Sequence, residues 1–235
     1  MPTHVRDQVD DIWEADLSLR LLLLFLLIAL FVEVPLSGLG VVEQRGELLA
    51  ATAFTALGVS GVFAVTRTRG ARAFGLLAMT APIGLGFYHA LVPGSSLGAL
   101  RSGLTVMALL WLAYLALQHV FRAGAITSAR LQGAIAVYLL LAVAFGEAYW
   151  LILQLRPEAF QFPHPATTHG MMRSGLFYFS LTTLTTVGYG DILPVSPAAR
   201  SLATMEGLIG QLYPAVLIGR LVSLQIISSQ EGRHG

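Results

Sequence analysis

Cysteine is absent from this chain, and so is lysine: every basic residue is an arginine. Without a thiol there can be no disulfide, no thiolate metal site and no cysteine nucleophile. Charge of either sign is scarce. Asp, Glu, Lys and Arg make up 11% of the residues, against about 25% in soluble domains, which excludes an ordinary soluble fold. A net charge of +1 gives no reason to expect nucleic acid as a partner. What remains is apolar. Hydrophobic residues are 55% of the chain, mean hydropathy is +0.72, and there are 24 glycines, the residue that lets helices pack closely in lipid. The composition is that of an all-α membrane protein whose surroundings are a lipid bilayer.

A helix needs about 20 apolar residues to cross a hydrocarbon core of about 30 Å. Six segments meet that length: Leu17–Leu36, Glu47–Thr66, Ala71–Val92, Gly98–Phe121, Ala129–Leu155 and Ala198–Ser228. Leu21–Val32 has the length of a signal-peptide core, but the acidic stretch DQVDDIWEAD before it is opposite in charge to a signal's basic flank. It is therefore read as the first span. Between the fifth and sixth spans, Met172–Thr185 is apolar but too short to cross. It reads as a re-entrant helix, which is tolerated where the following backbone is buried in protein or lines a water-filled path.

That re-entrant helix runs into Thr185–Asp191, TTVGYGD. Gly188 and Gly190 lack a Cβ and can adopt backbone conformations closed to other residues, so successive carbonyls can point toward one line. The carbonyls of Thr186, Val187, Gly188 and Tyr189 would then replace the hydration shell of a dehydrated cation, with the Thr186 hydroxyl at the innermost position. Val187 and Tyr189 would pack outward against the short helix. Asp191 would stand at the outer mouth, attracting cations. Helix ends favour cations at their carbonyl terminus, which Thr185 would mark.

TVGYG followed by Asp, in this setting, resembles the tetrameric potassium channel family, and the likeness extends over roughly residues 129–228. It implies a selectivity filter binding potassium at Thr186, Val187, Gly188, Tyr189 and Gly190, four pore loops around one axis, and hence a homotetramer. Potassium would be the permeant ion; no cofactor is implied. Many family members have an acidic residue four positions before the innermost threonine and tryptophans further up the pore helix. Here those places hold Thr182, Tyr178 and Phe179.

The domain plan follows. Residues 1–16 form a cytoplasmic N-terminal segment, 17–128 a four-helix sensor-like domain, and 129–235 the pore domain. With Asp191 outside, four spans before the pore put the N-terminus in the cytoplasm, and the sixth returns the C-terminus there. Arg67, Arg69, Arg72, Arg122 and Arg130 then lie on the inner side, as the positive-inside rule asks, although Arg45, Arg101, Arg156, Arg173 and Arg200 fall outside. The expected location is a plasma membrane or bacterial inner membrane. About seven residues follow the sixth span, so ligand control is expected on the membrane part or through a separate regulatory subunit.

Other residues carry smaller expectations. Glu147 and Glu206 are carboxylates inside the fifth and sixth spans, and their cost in lipid requires them to point into protein, either as hydrogen-bonded structural residues behind the filter or as groups whose protonation is linked to gating. His164 and His169, with His89 near the same side, read as solvated outer-loop residues. In the sixth span, Pro214 removes the amide that the Gly210 carbonyl would receive, and Gly207 lies one turn above, so these three form the expected gating hinge. Gln211, Ile218 and Val222 would line the cavity and close it. A non-selective cation channel would usually differ at Tyr189. A potassium transporter subunit would need repeated pore loops, and the chain has one. No pairing of nucleophile and base suggests an enzyme.

A voltage sensor needs a basic residue at about every third position of its fourth span. Here Arg101 and Arg122 stand at the two ends, with only His119 between. Conductance should therefore change shallowly with voltage, equivalent to far fewer than about 3–4 gating charges per subunit. Recording the conductance–voltage curve checks this, and a steep curve abolished by Arg122→Gln would overturn it.

Overall fold

The computed structural model describes residues 20–33, 35–36, 80–82, 84–85, 97–121, 128–163 and 168–231. Within them the elements are α1 (Arg20–Val32), α2 (Gly98–Val120), α3 (Ser128–Leu155), β1 (Phe160–Gln161), α4 (His169–Leu184), β2 (Leu193–Pro194) and α5 (Pro197–Glu231). The last turn of α1 widens to a π-helix over Ala29–Glu33. Three helices, α2, α3 and α5, are long and apolar enough to cross a membrane. They coincide with the fourth, fifth and sixth expected spans. The second span and most of the third lie outside the described residues, as do His89 and His164.

Local sequence explains the ends. Ser196 Oγ accepts from the Ala199 amide at 3.2 Å and Pro197 takes the first helical position, the cap and first-turn residues that start a helix most readily. Thr168 does the same for α4, accepting from the Met171 amide at 3.2 Å. That cap starts the short helix three residues earlier than the hydrophobic pattern indicates. The expected all-α architecture needs one correction as well. β1 and β2 pair antiparallel, Phe160 opposite Pro194 and Gln161 opposite Leu193, and the Ala159 carbonyl accepts from Val195 at 2.8 Å. Strands this short carry no readable alternation.

The core has two main parts. On one side Leu22, Leu26 and Leu30 of α1 meet Leu109 and Leu112 of α2 and Leu140 and Val143 of α3. On the other, Tyr149, Trp150 and Leu153 of α3 enclose Leu176 and Phe179 of α4 with Phe160, Ile192 and Ala199. At about 25 cal/mol per Å² of apolar surface this burial is the main force holding α4 against α3, because the short helix has no length to anchor itself in lipid. Directed polar contacts fix the remaining angles. Gln154 Nε2 donates to Ser102 Oγ at 2.9 Å between α3 and α2, and the Tyr213 hydroxyl donates to the Ala134 carbonyl at 2.8 Å between α5 and α3.

α5 runs as one helix through Pro214. Of its central apolar stretch 11% is buried, against 61% in α3, so α5 touches the rest of the chain along one narrow stripe. Glu206 and Gly210 lie on that stripe, four residues apart and therefore on the same face. A Cβ on Gly210 would collide with the Leu184 backbone carbonyl at the end of α4. Its missing side chain thus serves a close approach of two backbones, a use that the hinge reading does not include. Gly207 is different: a Cβ there meets nothing within 4 Å.

The two glycines should therefore respond with opposite signs. Gly210→Ala forces a backbone apart and should cost about 1–3 kcal/mol, while Gly207→Ala gains up to about 1 kcal/mol of helix propensity. Equilibrium unfolding of both variants in detergent checks this; equal effects would remove the close-approach argument.

Candidate functional site

The TTVGYGD segment begins where α4 runs out of partners for its carbonyls. A helix leaves its last four C=O groups without intrahelical amides. Here the Leu181 carbonyl accepts from the Thr185 amide at 3.0 Å, Thr182 from Val187 at 2.8 Å and Gly188 at 3.1 Å, and Thr183 from Thr186 at 3.0 Å. The fourth, Leu184, accepts from the Tyr138 hydroxyl of α3 at 2.9 Å. Thr185 closes the turn with its hydroxyl on the Leu181 carbonyl at 2.6 Å. Thr185 ends the helix as expected. Its last carbonyls, however, are held by the first amides of the segment that follows.

Beyond this cap the backbone alternates. Thr186, Gly188 and Gly190 have φ of +59°, +54° and +77°, while Val187 and Tyr189 between them stay in ordinary negative-φ conformations. Left-handed and right-handed residues in turn rotate each peptide so that neighbouring carbonyls no longer oppose one another, as they do in a strand. The two glycines take this conformation without steric penalty. Thr186 does not. A β-branched residue at positive φ is strained by about 1–3 kcal/mol, and sequence reasoning, which assigns the conformation to glycine, passes over it.

Tyr189 and Tyr178 lie with ring planes 1° from parallel and centroids 6.2 Å apart, so Tyr189 does reach α4, as expected. Its ring is nevertheless 71% exposed, and Val187, expected against the same helix, is 53% exposed. The correction has a simple cause: in one chain the far flank of the segment has nothing beside it. The Asp191 carboxylate interacts with the Tyr178 hydroxyl. A hollow of 480 Å³ opens beside the segment, lined by Thr182, Thr183, Gly188, Asp191, Arg200 and Thr204 among others. β1 and β2 hold the exit, and Arg200 Nε donates to the Pro194 carbonyl at 3.0 Å.

Both intramembrane carboxylates are buried, Glu147 at 1% and Glu206 at 0% exposure, as their cost in lipid requires. They differ in partners. Glu147 accepts from Arg173 Nη2 at 2.8 Å, in an ion pair between α3 and the first turn of α4, with the guanidinium over the Phe177 ring at 5.6 Å. Glu206 accepts from the Tyr149 hydroxyl at 2.5 Å, and its other oxygen lies 2.5 Å from Ser180 Oγ. Ser180 Oγ is also 2.7 Å from the Ala142 carbonyl. Sequence reasoning missed Arg173, Tyr138, Tyr149 and Ser180. The available signal was polar side chains at helical spacing within apolar helices, Tyr138 and Tyr149 being three turns apart on one face of α3. His169 opens α4 with its ring edge-on to Trp150 at 5.9 Å.

On α5, Gln211, Ile218 and Val222 fall on a stripe turned away from Glu206, while Pro214, four residues after Gly210, and Gly207 lie between that stripe and the buried face and are half-buried. Gln211, Ile218 and Val222 are exposed there, so no part of the described chain covers this face. At the far end Arg220 approaches the Phe121 carbonyl at 3.4 Å and the Phe121 ring at 6.0 Å, joining the end of α2 to α5.

Residues 136–225, which hold most of α3 and α5 and all of the segment between them, match the family model described as Ion channel. The chain is 48% identical over 40 residues to the inward rectifier potassium channel Kirbac3.1 of Paramagnetospirillum magnetotacticum, covering 17% of this chain and 14% of that protein. It is 36% identical over 88 residues to Protein LctB of Bacillus caldotenax, covering 36% of this chain and 64% of the relative. To Protein LctB of Geobacillus stearothermophilus it is 38% identical over 76 residues, covering 31% and 56%. The chain thus spans less than two thirds of the length of each of these curated relatives. No solved structure matches. Residues 136–225 are thus similar to an ion channel domain, a likeness that covers less than half of the chain.

Proposed function

We propose that this chain is one subunit of a potassium-selective channel that conducts passively down the electrochemical gradient. The observation that carries the reading is the alternation of positive and negative φ from Thr186 to Gly190. It is the backbone condition for stacking carbonyls of Thr186, Val187, Gly188 and Tyr189 along a line, where each ring of four replaces part of a potassium ion's hydration shell. One chain supplies only one carbonyl per ring. Four copies around an axis complete it, and the same arrangement covers Val187, Tyr189 and the open faces of α5, whose apolar exposure is large for a single subunit. Potassium is the permeant ion and no cofactor enters the reading. An intact Tyr189 favours potassium over a non-selective cation pore.

The rest of the proposal concerns gating. Six spans, with both termini in the cytoplasm of a bacterial or plasma membrane, put Asp191 at the outer mouth and Ile218 and Val222 at the inner end. Gln211 lines the cavity between them. Pro214 and Gly207 give α5 its freedom, and Gly210 is the point at which any bend is felt by the pore helix, through Leu184. A ring of Ile218 and Val222 side chains closes the path by dewetting. The four helices before residue 128 form a scaffold without voltage sensing, and a separate regulatory subunit is compatible with that arrangement.

Reconstituted in a planar bilayer under opposed potassium and sodium gradients, the protein should reverse near the potassium equilibrium potential. Tyr189→Asp should move the reversal toward zero. A wild-type reversal near zero would sink the potassium reading.

A further inference from the structure

Counting hydrogens behind the filter assigns a proton that the sequence does not reveal. Five oxygens on four residues form a chain through the Glu206 carboxyl: Tyr149 hydroxyl to Glu206 Oε2 at 2.5 Å, Glu206 Oε1 to Ser180 Oγ at 2.5 Å, and Ser180 Oγ to the Ala142 carbonyl at 2.7 Å. Three contacts need three hydrogens. Tyr149 and Ser180 supply one each, and the Ala142 carbonyl supplies none. With an ionised Glu206, one of the three pairs would be two lone pairs face to face in a site sealed from water, since Glu206 and Ser180 are both 0% exposed. The remaining hydrogen can sit in only one useful place. On Oε2 it would compete with the Tyr149 hydroxyl and leave Ser180 with two acceptors for one hydrogen. On Oε1 it satisfies every contact.

We infer that Glu206 is a neutral carboxylic acid, donating from Oε1 to Ser180 Oγ while Ser180 donates to the Ala142 carbonyl, and that this proton locks α5 and α4 to α3 behind the filter. The inference rests on the channel reading only for its consequence, not for the proton. The four residues join three helices: Tyr149 and Ala142 on α3, Ser180 on α4, Glu206 on α5. Loss of the proton forces Ser180 to turn toward the carboxylate and release Ala142, so α4 loses one of its polar ties to α3 one turn above the capped carbonyls of the filter. Glu206 is then a positioning residue, touching no ion. The groups that act on it are Tyr149 and Ser180, with Tyr138 of α3 also within its field; the charged pair Arg173 and Glu147 on α4 and α3 is bound to itself. The sign follows directly: the lock is whole at low and neutral pH and is lost as pH rises.

Infrared spectroscopy of the full-length protein in lipid tests the proton without relying on conduction. A protonated carboxylic C=O band should be present at neutral pH, shift on ¹³C-glutamate labelling, be missing in Glu206→Gln, and fade in alkaline buffer. Potassium flux from proteoliposomes should fall by about tenfold or more over the same pH range, the scale of one buried hydrogen bond turned repulsive. Glu206→Gln, whose amide donates permanently to Ser180, should conduct at the wild-type neutral level with a flat pH profile. A band present in protein that passes no potassium at any pH supports the proton and counts against the channel. Absence of any labelled carboxylic band at neutral pH overturns the inference, as does a band that disappears with no change in flux. Should Glu206→Gln fail to assemble, the labelled wild-type band and its flux profile decide the matter alone.

Discussion

Everything at the pore end of this chain depends on one arrangement: the last carbonyls of a short helix, α4, are held by the amides of the segment it delivers. Helix ends ordinarily find water or a capping side chain. Here Thr185, Thr186, Val187 and Gly188 spend their N–H groups on Leu181, Thr182 and Thr183. A backbone whose amides are committed on one side has its carbonyls left for the other. The strained Thr186 is held in place by the same bonds, since its amide to Thr183 fixes the turn in which its φ of +59° arises. Strain at one residue is thus balanced by hydrogen bonds over four.

The fourth carbonyl, that of Leu184, is where three helices meet. Tyr138 of α3 donates to it, and Gly210 of α5 leaves room for it. Tyr138 in turn stacks near Tyr213 of α5, centroids 5.7 Å apart, and Tyr213 bonds back to α3 at Ala134. One turn above, Glu206 and Tyr149 repeat the pattern with Ser180. Among the described residues α5 is therefore fastened to α4 and α3 along one face, with Arg220 adding a tie to the end of α2. The buried acid that meets α4 comes from α5: Glu206 Oε1 lies against Ser180 Oγ.

Much of this was legible in the sequence, and the reasons for what was not are physical. Length and apolarity located α2, α3 and α5 to within a few residues, because lipid thickness imposes a period-independent requirement that composition alone meets. The left-handed backbone at Gly188 and Gly190 was legible because glycine at two alternate positions takes that conformation without steric cost. The positive φ of Thr186 was not, since nothing in a threonine signals that its neighbours will force it left-handed. Glu147 and Glu206 were recognisable as buried from their cost, but their partners were not: Arg173 lies 26 residues away in sequence and Tyr149 lies 57 away, and only the fold brings them together. Gly210 carries a contact that its place beside Pro214 does not signal: a Cβ there would meet the Leu184 backbone, which only the packing of α5 on α4 reveals.

The ribbon of β1 and β2 is small, yet it changes the mechanical character of what it encloses. Its two strands flank α4 and the filter in sequence, so pairing Phe160 with Pro194 ties the entrance of the re-entrant segment to its exit. The segment is a closed loop with a two-rung clasp. Closing a loop once removes most of the entropy that later changes in its length would otherwise cost. Helix, TTVGYGD segment and return path consequently form one loop whose two ends are held at a fixed separation by its own clasp, whatever the helices around it do.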